Sequence, residues 1–193
     1  LQVQIDESLN ELREKLRQRH VQIEKFLKDQ ETLCIELGEL PRALHADPLP
    51  SEAEMNAFAD HLERLSNLRF KRLEEIIELR EEVKKLMRML EITMYDEHDQ
   101  HLVNSDNLKP SRGNIQKLKD LVGLFQGQFD QMRYQIEDMR KRLLQLWRYL
   151  DVPEDHQRKF EKYKDITQTT YDKLHFEVAR CEQIKKENIR VFI

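Results

Sequence analysis

The stretch RGNIQKLKDLVGLFQGQFDQMRYQIEDMRKRLLQLWRYL, residues 112–150, decides the fold. Alternating steps of three and four residues from Ile115 visit Leu118, Val122, Phe125, Phe129, Met132, Ile136, Met139, Leu143, Leu146 and Leu150, and every one is apolar. Side chains repeating every 3.5 residues stay on one face of an α-helix. A stripe this narrow is a seam for packing against other helices, not the broad face of a globular core.

Working outward, the same spacing appears on both sides. Upstream it runs from Ile5 through Leu9, Leu12, Leu16, Arg19, Ile23, Phe26, Gln30, Leu33 and Leu37 to Leu40, with only Arg19 and Gln30 polar. Gly38 and Pro41 then supply stop signals. Residues 39–50 hold three of the chain's five prolines and read as a loop. Ser51 with Glu54 three residues on forms a capping box that opens a second helix. Its stripe is Met55, Phe58, Leu62, Leu65, Arg69, Arg72, Ile76, Leu79, Val83, Leu86 and Leu90. Leu68 and Leu73 beside the two arginines predict that the buried face is displaced there and the arginines exposed; the alternative is that Arg69 and Arg72 fix register or mark a partner's docking place. Residues 94–111 lose the pattern, gain Asp, Asn, Ser and Pro, and read as a loop. Downstream of Leu150, Asp151 can cap a short helix to about Tyr163, and a last helix carries Tyr171, Leu174, Val178 and Cys181.

The expected fold is therefore all-α, an elongated antiparallel helical bundle or rod with spectrin-like or coiled-coil packing. Helices are expected over about 1–38, 51–93, 112–150, 153–163 and 168–193, four long and one short. Such stripes serve either self-association or folding back within one chain, and the proline-bearing breaks favour folding back. Composition agrees: 36% of the 193 residues are charged, 39% are apolar, and only four are glycine. Net charge is −4, with 33 basic and 37 acidic residues intermixed, unlike the basic excess of a nucleic-acid-binding domain. The uncharged run Leu121–Phe129 is far shorter than the ~20 residues of a membrane span, so no membrane role is expected. No secretory signal opens the chain. Cys34 and Cys181 lack disulfide-framework or metal spacing, and a reduced intracellular compartment is the natural reading. The start at Leu1 and a helical pattern still running at Ile193 read as a piece of something longer.

The pattern offers no chemistry. Four scattered glycines make no phosphate loop. A di-iron bundle site needs Glu-x-x-His on two helices, and no histidine here has Glu three residues before it. Asp96, His98, Asp99 and His101 carry ligand types that suit a transition metal, but in a polar loop they read first as solvated side chains. No catalytic residue, cofactor or metal is assigned. Basic clusters stand at Lys84–Lys85 with Arg88, at Arg140, Lys141 and Arg142 with Arg148, and at Lys185–Lys186 with Arg190. The first two complement the negative end of a helix dipole. Arg140, Lys141, Arg142 and Arg148 are the candidate partner-binding residues, for an acidic surface such as a filament. Trp147, one step off the stripe, is expected to widen the packed seam with its N–H still partnered.

One motif is familiar. Leu146-Trp147-Arg148-Tyr149-Leu150-Asp151-Val152-Pro153-Glu154 fits L-W-x-x-L-x-[IV]-P-[ED]. The chain thereby resembles the microtubule crosslinkers of the anaphase spindle midzone: the protein-regulator-of-cytokinesis family, with Fascetto and the anaphase spindle elongation protein. A degenerate copy, with Cys for Trp and one extra residue, is Leu33-Cys34-Ile35-Glu36-Leu37-Gly38-Glu39-Leu40-Pro41. Pro50-Ser51 followed by Glu54, Met55, Asn56 and Phe58, and the run Glu177–Glu182, are similar to family members in the same order.

The resemblance implies a homodimeric protein that bundles antiparallel microtubules in the central spindle in anaphase and cytokinesis. An N-terminal dimerisation segment would precede this chain, and a spectrin-like microtubule-binding domain would follow it. Kinesin motors and mitotic kinases are candidate further partners. Spindle midzone and midbody, with the nucleus in interphase, are the implied locations. The chain itself is then expected to be a non-catalytic, rigid spacer. The alternative is a helical scaffold or tether segment that docks partner helices.

Overall fold

A computed structural model describes residues 2–94 and 96–191, with side-chain surroundings given for 5–94 and 96–188. Residues 1, 192 and 193, expected in the first and last helices, lie outside the described residues. So do Tyr95 of the expected loop and the side chain of Arg190. The described residues form α1 (Gln2–Leu37), α2 (Glu52–Leu90), α3 (Glu97–Asn104), α4 (Arg112–Tyr149), α5 (Glu154–Arg158) and α6 (Gln168–Val191), with no strand among them. The fold is an all-α helical bundle. It divides into two compact units, Leu1–Ile77 with Asp106–Gln116, and Glu78–Ser105 with Lys117–Ile193.

The stripes account for the packing. Each α4 stripe residue from Ile115 to Leu146 is buried or partly buried. Val83, Leu86 and Leu90 of α2 are buried, as are Leu118, Ile136 and Leu143 of α4 and Cys181 of α6. Burying such a side chain is worth about 1.5–3 kcal/mol, which dispersed helix propensity alone does not supply.

Three sequence expectations need correction. First, 94–111 is not all loop. Asp96 accepts hydrogen bonds from the backbone N–H of His98 (2.9 Å) and Asp99 (3.0 Å) and starts α3, which buries Leu102 and Val103. An eight-residue helix offers too few apolar positions for a period to show. Second, α5 ends at Arg158, well short of Tyr163. The chain continues in turns closed by i→i+3 bonds such as Phe160 N–H to the Gln157 carbonyl (3.0 Å) and Tyr163 N–H to the Phe160 carbonyl (3.1 Å). Third, Arg72 is not exposed. It stays in the stripe, buried, and donates to the carbonyls of Leu37 (2.9 Å) and Pro110 (3.3 Å) and to Glu39 (2.6 Å).

The direction of the helices also departs from the antiparallel expectation. In the first unit, Phe26 stacks on Phe58 with ring centroids 5.8 Å apart. Gln30 then meets His61 at 3.0 Å, Glu36 meets Arg69 at 2.5 Å, and the Leu37 carbonyl meets Arg72. Partner numbers rise together, so α1 and α2 point the same way. The connector does the folding back. The Gln30 carboxamide exchanges two 2.9 Å hydrogen bonds with the backbone of Arg42, pinning 39–50 alongside α1. Extended at about 3.3 Å per residue, that connector reaches ~40 Å, far more than a turn between antiparallel neighbours requires.

In the second unit the pattern recurs. Gln168 and Tyr171 border Met132 and Gln135, while Lys185 lies over the Tyr149 ring at 4.9 Å, so α6 follows α4 in the same sense. The return leg runs between them. Phe160 packs on Trp147 at 5.6 Å, and the Tyr163 and Lys164 carbonyls each accept from Arg140 at 2.8 Å. Within the same unit Arg80 donates to the carbonyls of Leu102 (2.8 Å) and Ser105 (2.6 Å), tying α3 to α2.

One helix ending occurs three times. Gly38, Glu91 and Asp151 sit at φ +67°, +54° and +49° just past α1, α2 and α4. In each case the next N–H reaches back five residues: Glu39 to the Cys34 carbonyl (3.1 Å), Ile92 to Met87 (3.1 Å), Val152 to Trp147 (3.0 Å). This is the Schellman arrangement, in which a left-handed residue lets the chain satisfy helix-end carbonyls. The L-W-x-x-L-x-V-P-E motif is the sequence of such an ending. Leu33–Glu39 is indeed a second copy, and Leu86-Met87-Arg88-Met89-Leu90-Glu91-Ile92 is a third that the sequence reading missed. Only Leu33–Glu39 has the glycine, Gly38, that normally announces a positive φ.

Candidate partner-binding surface

The α4 C-terminal half and α6 bring two of the basic clusters together. Lys141 and Arg142 from α4 and Lys185 and Lys186 from α6 line one groove of about 850 Å³, with Asp138, Gln145, Leu146, Tyr149 and Glu182. Arg142 pairs with Glu182 at 2.5 Å. Leu146 is buried and forms the floor, while Tyr149 is 59% exposed.

The other two candidates separate from this groove. Arg140 holds the return leg through the Tyr163 and Lys164 carbonyls, and Arg148 is exposed on the last turn of α4. The remaining basic cluster is locally balanced: Lys84 pairs with Glu81 (3.5 Å) and Lys85 with Glu82 (3.4 Å), one turn back on the same helix. Such exposed pairs are worth a few tenths of a kcal/mol.

A buried carboxylate between α4 and α6 has a strongly perturbed pKa, which the sequence did not announce. Glu177 is 2% exposed. Its Oε1 accepts from Trp147 Nε1 (3.1 Å) and Arg180 (2.6 Å) and lies 3.0 Å from His156 Nε2, while Oε2 accepts from Arg180 Nε (2.8 Å). Burial pushes its pKa up, but the hydrogen bonds from Arg180, Trp147 and His156 prevail and hold it at about 2. Burial and the Glu177 charge push the neighbouring Cys181 thiol up to about 11. A thiol so held is a packed core group and a poor nucleophile. The signal available in sequence was Glu177 on the apolar face of α6, between Leu174 and Val178.

The residues considered as metal ligands do other things. Asp96 caps α3, and His98 Nε2 lies 3.1 Å from Lys117 Nζ. No group of three or more His, Cys, Asp or Glu side chains able to hold a metal ion converges among the described residues. Likewise no described helix is long and apolar enough to cross a membrane.

A second surface is apolar. Ile5, Leu9, Leu12 and Leu16, the first half of the α1 stripe, are between 45 and 63% exposed, whereas Ile23 further along the same stripe is buried.

Comparison with known proteins follows the same outline. The chain is 25% identical over 187 residues to human (Homo sapiens) Protein regulator of cytokinesis 1, covering 95% of this chain and 30% of that protein. The mouse (Mus musculus) protein of the same name is 24% identical over 187 residues, covering 95% and 31%. The chain thus spans about a third of the length of these relatives. The family described as Microtubule associated protein (MAP65/ASE1 family) matches across residues 1–193. A match over the whole chain, on helices that end in the motif at 146–154, makes this protein a member of the MAP65/ASE1 family of microtubule-associated proteins.

Proposed function

We propose that this chain is the spacer segment of a microtubule-crosslinking protein that acts at the central spindle in cytokinesis. The observation that carries the reading is the family match over residues 1–193. Two features support a mechanical role. Helices α2 and α4 run uninterrupted for 39 and 38 residues, about 58 Å each at 1.5 Å per residue. Their C-terminal ends are fixed by backbone capping after Leu90 and Tyr149, and Trp147 near the end of α4 donates to buried Glu177. A spacer of this kind transmits geometry between crosslinking ends, whereas a flexible linker of equal length does not. Dimerisation and the main tubulin contacts then belong to other parts of the longer protein, as do motor and kinase partners.

The experiment is replacement in the full-length protein. Residues 1–193 are exchanged for a Gly/Ser linker of matching length, and bundled microtubules are imaged by electron microscopy. The expected result is bundles with broadened spacing and mixed filament angles. Unchanged spacing would remove the spacer role. The segment alone is expected to co-sediment poorly with microtubules, and stoichiometric pelleting speaks against the assignment.

The exposed α1 stripe favours a second reading, a tether that docks a partner helix. In that case Leu12→Glu abolishes capture of the partner while leaving the helical signal and melting temperature unchanged.

A further inference from the structure

The α4–α6 groove carries an uneven charge pattern. Lys141, Arg142, Lys185 and Lys186 face it against Asp138 and Glu182, a local excess of positive charge in a chain whose net charge is −4. Arg142 is neutralised by Glu182. Lys141 and Lys186 have no carboxylate partner among the described residues, and Lys185 lies over the Tyr149 ring. The groove therefore offers two ammonium groups without a carboxylate partner, Lys141 and Lys186, and a third, Lys185, held over an exposed aromatic ring beside buried Leu146. Its volume of about 850 Å³ falls within the ~300–1,000 Å³ typical of ligand clefts.

We infer that this groove binds a short acidic segment of a partner protein, its carboxylates on Lys141, Lys185 and Lys186 and one apolar or aromatic side chain on Tyr149. Asp138, the lining carboxylate that Arg142 does not neutralise, selects against a continuous polyanion. A nucleic-acid backbone, with a charge at every step, meets Asp138, whereas a peptide can set its charges apart from it. Tyr149 supplies what a purely electrostatic patch lacks, a flat surface against which a ring or aliphatic side chain packs. The inference does not rest on the spacer reading, since the groove is formed wholly within the second unit.

The test is fluorescence anisotropy on the chain with three labelled probes at low salt. These are a hexapeptide of five glutamates and one phenylalanine, the all-glutamate hexapeptide, and a twelve-nucleotide oligo-dT. The phenylalanine peptide is expected to bind best, and its affinity to fall at least fivefold when salt is raised to ~200 mM, as screening weakens exposed charges. The variant K141E/K186E should lose at least tenfold in affinity with an unchanged circular-dichroism spectrum and melting temperature, because both side chains are exposed. Tyr149→Ala should weaken the phenylalanine peptide and leave the all-glutamate peptide unaffected. Equal binding by K141E/K186E would overturn the site. Oligo-dT binding as tight as the peptide would overturn the partner class, and indifference to Tyr149→Ala would overturn the aromatic contact.

Discussion

At the residue scale, two buried charges set the chain's sensitivity to change. Glu177 has its carboxylate pKa lowered from 4.5 to about 2. A group depressed on folding stabilises the native state above its unfolded pKa and loses that contribution as pH falls through the folded value. Its contribution is thus complete above about pH 4.5 and is lost toward pH 2, worth on the order of 3 kcal/mol. Urea melts across this range should show that limb in the parent and lack it in Glu177→Gln, which keeps an acceptor for Trp147 without the titrating charge. Arg72 predicts a different outcome. Arg72→Leu strands the Leu37 and Pro110 carbonyls and should cost about 2–3 kcal/mol near neutral pH, a cost that shrinks in acid because the Arg72 guanidinium also holds the Glu39 carboxyl pKa down. Neither residue was legible as a structural hub in the sequence. A lone charge on an apolar stripe looks the same whether the stripe bends away from it or closes over it, and only the partners' positions decide. Trp147 was easier, because a large ring with one donor beside a seam has few other places to go.

At the scale of elements, periodicity located α1, α2, α4 and α6 because each is long enough to repeat its stripe several times. It could not locate α3, whose boundaries rest on a single cap. Asp96→Ala should therefore cost about 1 kcal/mol, and hydrogen exchange should show the loss confined to 97–104. The thrice-repeated helix ending was half legible. Trp147, Pro153 and Gly38 stood out, whereas Glu91 and Asp151 gave no warning of a left-handed backbone. Relief of that strain is measurable: Asp151→Gly is expected to raise stability by up to about 1 kcal/mol, and Asp151→Val to lower it by about the same or more. Glu91 is a less clean site for the experiment, since its Oε2 also accepts from the Thr169 backbone (2.7 Å) and hydroxyl (2.6 Å) at the start of α6. Helix direction was not legible at all. A stripe says which face is buried and is silent about which way the neighbour runs; that was decided by how far back the connectors reach, through Gln30 to Arg42 and Arg140 to Tyr163.

At the scale of the whole molecule, the apolar spacing was enough to give an all-α bundle, and the order of weak motifs was enough to give the family. The candidate surface was only partly legible: Lys141 and Arg142 were in view, but their meeting with Lys185 and Lys186 needed the α4–α6 pairing. The two units each carry one free, buried thiol, Cys34 in the first and Cys181 in the second. Burial raises the pKa of both. Neither reacts with a water-borne disulfide reagent until its surroundings open, so each thiol is a clock for local unfolding. Mass spectrometry separates the two labelled peptides. Arg72→Leu is expected to hasten the first clock, and Glu177→Gln the second. The pair of cysteines thus supplies a built-in readout, needing no engineered label, of how mechanical load or a bound partner loosens one part of the protein.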